Sequence, residues 1–188
     1  TGAGVDSVLV ENGRTAGIVL EGGEEIRSPL VVSNLDVKRT FLKLVEEKEL
    51  PGGFVKQVKN FKIRGSSGKV NIALDAMPKF PALPDDSSIY RGDMHFTDSV
   101  ERMERAYDDW KERVMPRDPY IEMVLPSRLD PTLAPPGKHV ASVFVQYVPD
   151  SLIDGSWTDA KRAQLQEVVL DKIERHAPGF RKLVRHVE

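Results

Sequence analysis

The chain has 188 residues, enough for one domain or two small ones and for a substantial buried core. Its 27 basic and 29 acidic side chains nearly cancel, leaving a formal charge of −2 and no basic footprint for nucleic acid. The absence of cysteine excludes disulfides, thiol catalysis and cysteine-ligated metals. The four histidines (His95, His139, His176 and His186) make no helical i,i+4 pair, so no metal is expected.

No run reaches the roughly eighteen apolar residues of a membrane span, and no signal-peptide pattern opens the chain. Thr1 and the closing residues 185–188 read as cut ends, so the expectation is an internal piece of a larger protein. Residues 5–10 alternate as a strand. Asn12-Gly13 then supplies the two positive φ angles of a type I′ hairpin, and the partner strand runs from Arg14 to Leu20. Gly22-Gly23 turns into a third strand, completing an antiparallel meander. The apolar run Leu30, Val31, Val32 predicts a fourth strand buried on both faces, stopped by Ser33-Asn34. Asp36 caps a helix carrying Phe41, Leu42, Leu44 and Val45 on one stripe. After Pro51-Gly52-Gly53, a second short helix places Phe54, Val55, Val58 and Phe61 at helical spacing.

The central strand follows the turn Gly65-Ser66-Ser67-Gly68. The two-residue period sets Lys69 and Asn71 on one face and Val70, Ile72 and Leu74 on the other. Pro78 and Pro81 end it. Residues 85–88 read as an exposed loop and residues 89–96 as a short strand. Thr97-Asp98 is expected to cap a helix with Val100, Met103, Tyr107, Trp110 and Val114 on its apolar stripe and Glu101 completing a capping box. Residues 120–125 and 139–148 form two strands that pair antiparallel, with Asp130 as a turn former between them. Thr158 caps the last helix, whose stripe is Leu165, Val168, Val169 and Ile173, and Pro178-Gly179 closes it. Clustered strands with helices between them make the fold class α+β. Trp110 and Trp157 read as packing residues. Tyr90, Phe96, Tyr120, Phe144 and Tyr147 read either as plain core or as the lining of an apolar substrate cavity.

Four stretches, VDSVLVENGRTAGIVLEGGEEI, LVVSNLDVKRTFLKLV, RGSSGKVNIALDAMPKF and SRLDPTLAPPGKHVASVFVQYVP, together resemble the middle of a flavin-dependent oxidoreductase. The family is the phytoene desaturase and amine oxidase superfamily, on its phytoene dehydrogenase-related branch. The resemblance implies that residues 1–34 complete an FAD-binding domain with the meander and a return strand. It implies that residues 35–188 form a substrate-binding domain, with an antiparallel or mixed sheet covered by helices. It further implies FAD as the cofactor of the parent, removal of hydride from an apolar or amine small molecule, and a cytoplasmic setting. Membrane association of the parent, and self-association through an exposed sheet edge, are compatible with it.

The glycine fingerprint that would bind the FAD pyrophosphate is missing from the sequence. The piece alone is therefore expected neither to hold FAD nor to be active. By the same resemblance Lys69 is the catalytic candidate, facing the flavin N5, and Ser33 and Asn34 are the cofactor-binding candidates. Residue chemistry alone also allows Lys69 to be a strand-end lysine reaching water, and Ser33-Asn34 to be a helix-entry turn. The reading from a different class is a non-catalytic binding or interaction domain built on a related flavoprotein fold.

Overall fold

The structure is a computed structural model that describes residues 2–84 and 88–188, so residues 85–87 of the loop expected at 85–88 lie outside the described residues. The chain divides into two compact units, Thr1–Ile63 and Arg64–Glu188. The expected boundary between functional domains lies earlier, after residue 34.

The first unit opens with an antiparallel meander of β1 (Val5–Glu11), β2 (Arg14–Leu20) and β3 (Glu25–Arg27). Asn12 and Gly13 both take positive φ, at 53° and 73°, as the hairpin signal requires. Gly17 is required for a different reason. Its φ is +147°, and a Cβ there would sit 2.2 Å from the Ile26 carbonyl oxygen.

The expected fourth strand is absent. Residues 30–34 form no ladder, and Leu30 and Val32 are 71% and 85% exposed. The apolar run matches a buried strand in composition, but among the described residues no neighbouring strand supplies its hydrogen bonds. Asp36 accepts from the Lys38 and Arg39 amides to cap α1 (Val37–Arg39), which continues as a π turn, Thr40–Leu44. Phe41 meets Phe54 edge to face at 5.0 Å, joining this turn to α2 (Gly52–Asn60). Val55 and Val58 are buried on α2, while Phe61, expected on the same stripe, follows the helix end and is exposed.

The second unit is a five-stranded sheet in the order β5-β6-β7-β4-β8, with every pairing antiparallel. Its strands are β4 (Ser67–Leu74), β5 (Asp93–Phe96), β6 (Tyr120–Val124), β7 (His139–Gln146) and β8 (Val184–Val187). Residues 89–96 are therefore only half strand, because Ser88–Arg91 is a 3-10 turn. Val70, Ile72, Leu74, Ile121, Met123 and Val143 point to one face, where Leu165, Val169, Leu170 and Ile173 of α4 (Asp159–His176) complete the core with Phe180. Thr158 caps α4 as expected, and Gly179, at φ 92°, turns the chain beyond it.

The helix α3 (Val100–Glu112) is capped by Ser99, not by Thr97-Asp98. Its most buried positions are Ala106 and Asp109, and Val100 is 70% exposed, so the helix is rotated from the expected stripe. Asp109 is held by the Arg117 guanidinium and backbone amide. Buried Lys172 on α4 donates to Asp118 Oδ1 at 2.9 Å and to the Pro119 carbonyl at 2.7 Å. Burial alone would raise the Asp118 carboxyl. The Lys172 hydrogen bond and charge outweigh it and hold the group below the usual carboxylate range.

Candidate functional site

The helix-covered face of the five-stranded sheet is apolar. The opposite face carries nearly all of the sheet's chemistry, because strand alternation puts every second residue there. Strand register arranges that face in rows. His95 stands opposite Glu122, Glu122 opposite Phe144, and Phe144 opposite Lys69, so one row crosses β5, β6, β7 and β4. The adjacent row is Asp93, Val124, Ser142 and Asn71, with Asn71 Oδ1 accepting from the Ser142 hydroxyl at 3.3 Å. Lys69, Phe144, Ser142, Val124, Glu122 and Asp93 surround a depression of about 200 Å³.

Lys69 stands on this open face, exposed, with no hydrogen bond or ion pair among the described residues. Tyr120, two residues before Glu122 on the same face, donates its hydroxyl proton to Glu122 Oε1 at 2.8 Å and also contacts His95 Nδ1. Partial burial, and next the Glu122 hydrogen bond and charge, push the Tyr120 phenol up to about 12. His95 lies between two carboxylates, with Nε2 at 3.7 Å from Asp93 and Nδ1 at 3.7 Å from Glu122. The sequence reading named Tyr120 and Lys69 but missed this cluster. The signal was available as Asp93-x-His95 at strand spacing beside Tyr120-x-Glu122.

Ser33 and Asn34 belong to the first unit. They line an apolar cleft of about 510 Å³ with Val8, Ile18, Ile26 and Leu44. The Ser33 hydroxyl is bonded to that of Thr40 at 2.8 Å and accepts from the Leu35 amide at 3.3 Å, so it also braces the entry to α1. Of the aromatic candidates, Tyr90 and Phe96 are core, while Phe144 is exposed on the sheet's open face. Tyr107 stacks on Trp110 and meets Tyr147 edge to face. Trp110 donates to the Gly65 carbonyl at 2.9 Å and Trp157 to that of Pro149 at 2.9 Å. His139 is hydrogen-bonded to Ser127 and its pKa is lowered, by burial and then by Arg128, as suits a strand-start residue. Asp130 caps the turn at Pro131–Leu133 through Thr132.

No family profile matches the chain. Individual proteins do. The chain is 38% identical over 179 residues to the rat (Rattus norvegicus) pyridine nucleotide-disulfide oxidoreductase domain-containing protein 2, covering 92% of the chain and 31% of that protein. It is 30% identical over 156 residues to the zeta-carotene-forming phytoene desaturase of Myxococcus xanthus, covering 83% of the chain and 27% of that enzyme. The chain belongs to the phytoene desaturase-related oxidoreductase family.

It spans less than a third of the length of these two relatives. The crystal structure of an oxidoreductase from Methanosarcina mazei shares its fold, with a TM-score of 0.53 at 22% identity over the whole chain and 36% of that protein. Two antiparallel sheets with helices make the α+β class. On this face the Lys69 ammonium has no ion pair among the described residues, and the sequence holds no G-x-G-x-x-G turn of the kind that binds a dinucleotide pyrophosphate.

Proposed function

We propose that this chain is the substrate-facing part of an FAD-dependent oxidoreductase that takes hydride from an apolar or amine small molecule. Residues 1–34 belong with the FAD-binding domain and residues 35–188 with the substrate-binding domain. The observation that carries the reading is the polar, unpaired Lys69 beside exposed Phe144 on the helix-free face of the sheet. A bound flavin supplies the acceptor for hydride. The chain's own residues supply the rest. Phe144 and Val124 would give an apolar bed for substrate, and Lys69 would hold a positive charge beside a flavin ring bound against this face.

Ser33 and Asn34 would lie on the cofactor side of the first unit, where they line an apolar cleft with Leu30, Val31, Val32 and Leu35. The setting is cytoplasmic, and among the described residues no helix is long and apolar enough to cross a membrane. The partner is a small molecule and not a nucleic acid, consistent with the balanced charge.

The test uses the protein encoded by the whole gene. It should purify with a flavin absorption band, and Lys69→Met should slow flavin reduction or reoxidation while leaving the flavin bound. A colourless protein that ignores added FAD overturns the reading in favour of a binding module. Unchanged kinetics in Lys69→Met remove the lysine from the site.

A further inference from the structure

We propose that Asn71 and Ser142 hold a hydroxyl, amine or amide group of the substrate, which is a small polar molecule and not a long apolar polyene. The proposal rests on the flavin reading above and chooses among the substrates that reading allows.

The exposed apolar side chains of the open sheet face are Phe144 and Val124, at 39% and 37%. They are diagonal neighbours on β7 and β6, so the apolar bed they form is about 7–8 Å long. Val140 and Ala73, paired in the next row, are half-buried. Polar groups border the bed. Lys69 and Glu122 stand on either side of Phe144, and Ser142 and Asp93 on either side of Val124. The depression that these six residues line holds about 200 Å³, below the roughly 300–1,000 Å³ usual for a drug-sized ligand. An apolar molecule longer than the bed would lay hydrocarbon over Lys69 or Glu122. A charge that loses water and gains no hydrogen bond is costly, and two partly exposed apolar side chains offer little area to offset it.

What the face offers instead is a donor and an acceptor side by side. The Ser142 hydroxyl meets Asn71 Oδ1 at 3.3 Å, and neither side chain has another hydrogen-bond partner among the described residues. In either orientation of the Asn71 amide, the pair keeps at least one free N–H or O–H and one free oxygen lone pair. A ligand group that both donates and accepts can therefore bridge the two side chains. Hydroxyls, neutral amines and amides do both, and a polyene does neither. The Lys69 ammonium lies two residues before Asn71 on the same strand, about 7 Å along it, and adds a second donor for a ligand oxygen. Strand register assembles this set, since Asn71 is directly opposite Ser142 and Lys69 directly opposite Phe144.

The test uses the flavin-loaded protein encoded by the whole gene. Flavin absorbance is followed without oxygen while benzylamine, benzyl alcohol or benzamide is added in buffer, and separately β-carotene in detergent micelles. At least one of the three aromatic probes should shift or bleach the flavin band saturably, and β-carotene should leave it unchanged. That comparison needs no variant to fold. Asn71→Leu and Ser142→Ala should each weaken the responding probe about fivefold or more, with flavin content and unfolding midpoint unchanged. The proposal alone is overturned, with the flavin reading intact, by a yellow protein that β-carotene bleaches, that none of the three probes affects, or whose two variants bind the probe as well as the unaltered protein. A protein that takes up no flavin overturns the flavin reading, and this proposal with it.

Discussion

In the second unit Ile72, Ile121 and Val143 have no exposed surface, whereas in the first unit Leu30 and Val32 are 71% and 85% exposed. Both sets are branched or long aliphatics in strand-like sequence. The five-stranded sheet has an 18-residue helix to lie against its apolar face. The three-stranded meander has only short turns of helix, and Ile26, Leu35 and Phe61 also remain exposed there. Apolar content thus does not decide whether a strand is buried; the number of surfaces available to cover it does.

The sharpest way to break this comparison is to truncate equivalent side chains in the two units. Ile121→Ala removes a fully buried side chain and should cost about 3–4 kcal/mol in urea unfolding followed by circular dichroism. Val32→Ala should change stability by less than about 0.5 kcal/mol. Similar losses at the two positions would mean that residues 30–34 are covered in solution.

Next in size is the ion pair beneath α4. Lys172→Ala leaves Asp118 without its nearest cation and the Pro119 carbonyl without a donor. Asp118 keeps Arg175 at 3.5 Å and Arg102 at 3.7 Å and is one-third exposed, so the expected loss is about 2 kcal/mol, below that of a fully buried pair. The sign with pH follows from the lowered carboxyl. Its contribution is present above the unfolded value of about 4 and drains away as pH falls through the lower folded value. The unaltered chain should therefore lose stability in acid more steeply than Lys172→Ala, compared by urea midpoints across the acid range.

Gly17→Ala is a smaller and more local change in the meander. Alanine is strained at φ +147°, and its methyl would strike the Ile26 carbonyl. It should open the β2–β3 pairing at a cost of about 1–2 kcal/mol, read as faster amide exchange at Ile18 and Ile26 with β4 and β7 unchanged.

These contrasts mark what the sequence could reveal. The alternation of Val70, Ile72 and Leu74 against Lys69 and Asn71, the Asn12-Gly13 hairpin and the Thr158 cap are local rules, and the structure keeps them. The run at residues 30–33 obeys the same local rule for a buried strand and fails, because burial needs a partner that the local pattern does not contain. Asp109 and Lys172 were invisible for the converse reason. Each looks like a solvated helix charge until Arg117 or Asp118, from another element, meets it. The row of His95, Glu122, Phe144 and Lys69 joins four strands whose order and register are long-range facts. Of these, Lys69 stood out beforehand by its resemblance to a family motif and Phe144 as an aromatic candidate for a cavity lining, while His95 and Glu122 did not. Whether Lys69 faces a flavin is a question for the Lys69→Met kinetics.

The last comparison concerns association, where the effect on stability is smallest. Leu30, Val32 and Leu35 add an exposed apolar strip to an open cleft, next to β1 and β3, the free edges of the meander. An unpaired strand edge beside an apolar strip favours pairing with another chain, so the 188-residue chain should self-associate as its concentration rises. Val32→Lys puts a charge in that strip at a side chain that is already 85% exposed, so folding should be unaffected. Light scattering over a wide concentration range should show the unaltered chain growing in mass and Val32→Lys remaining smaller. If both stay monomeric throughout, neither the strip nor the edge is a docking surface. If both associate alike, the contact lies elsewhere, and the edge strands β5 and β8 of the larger sheet are the next to charge.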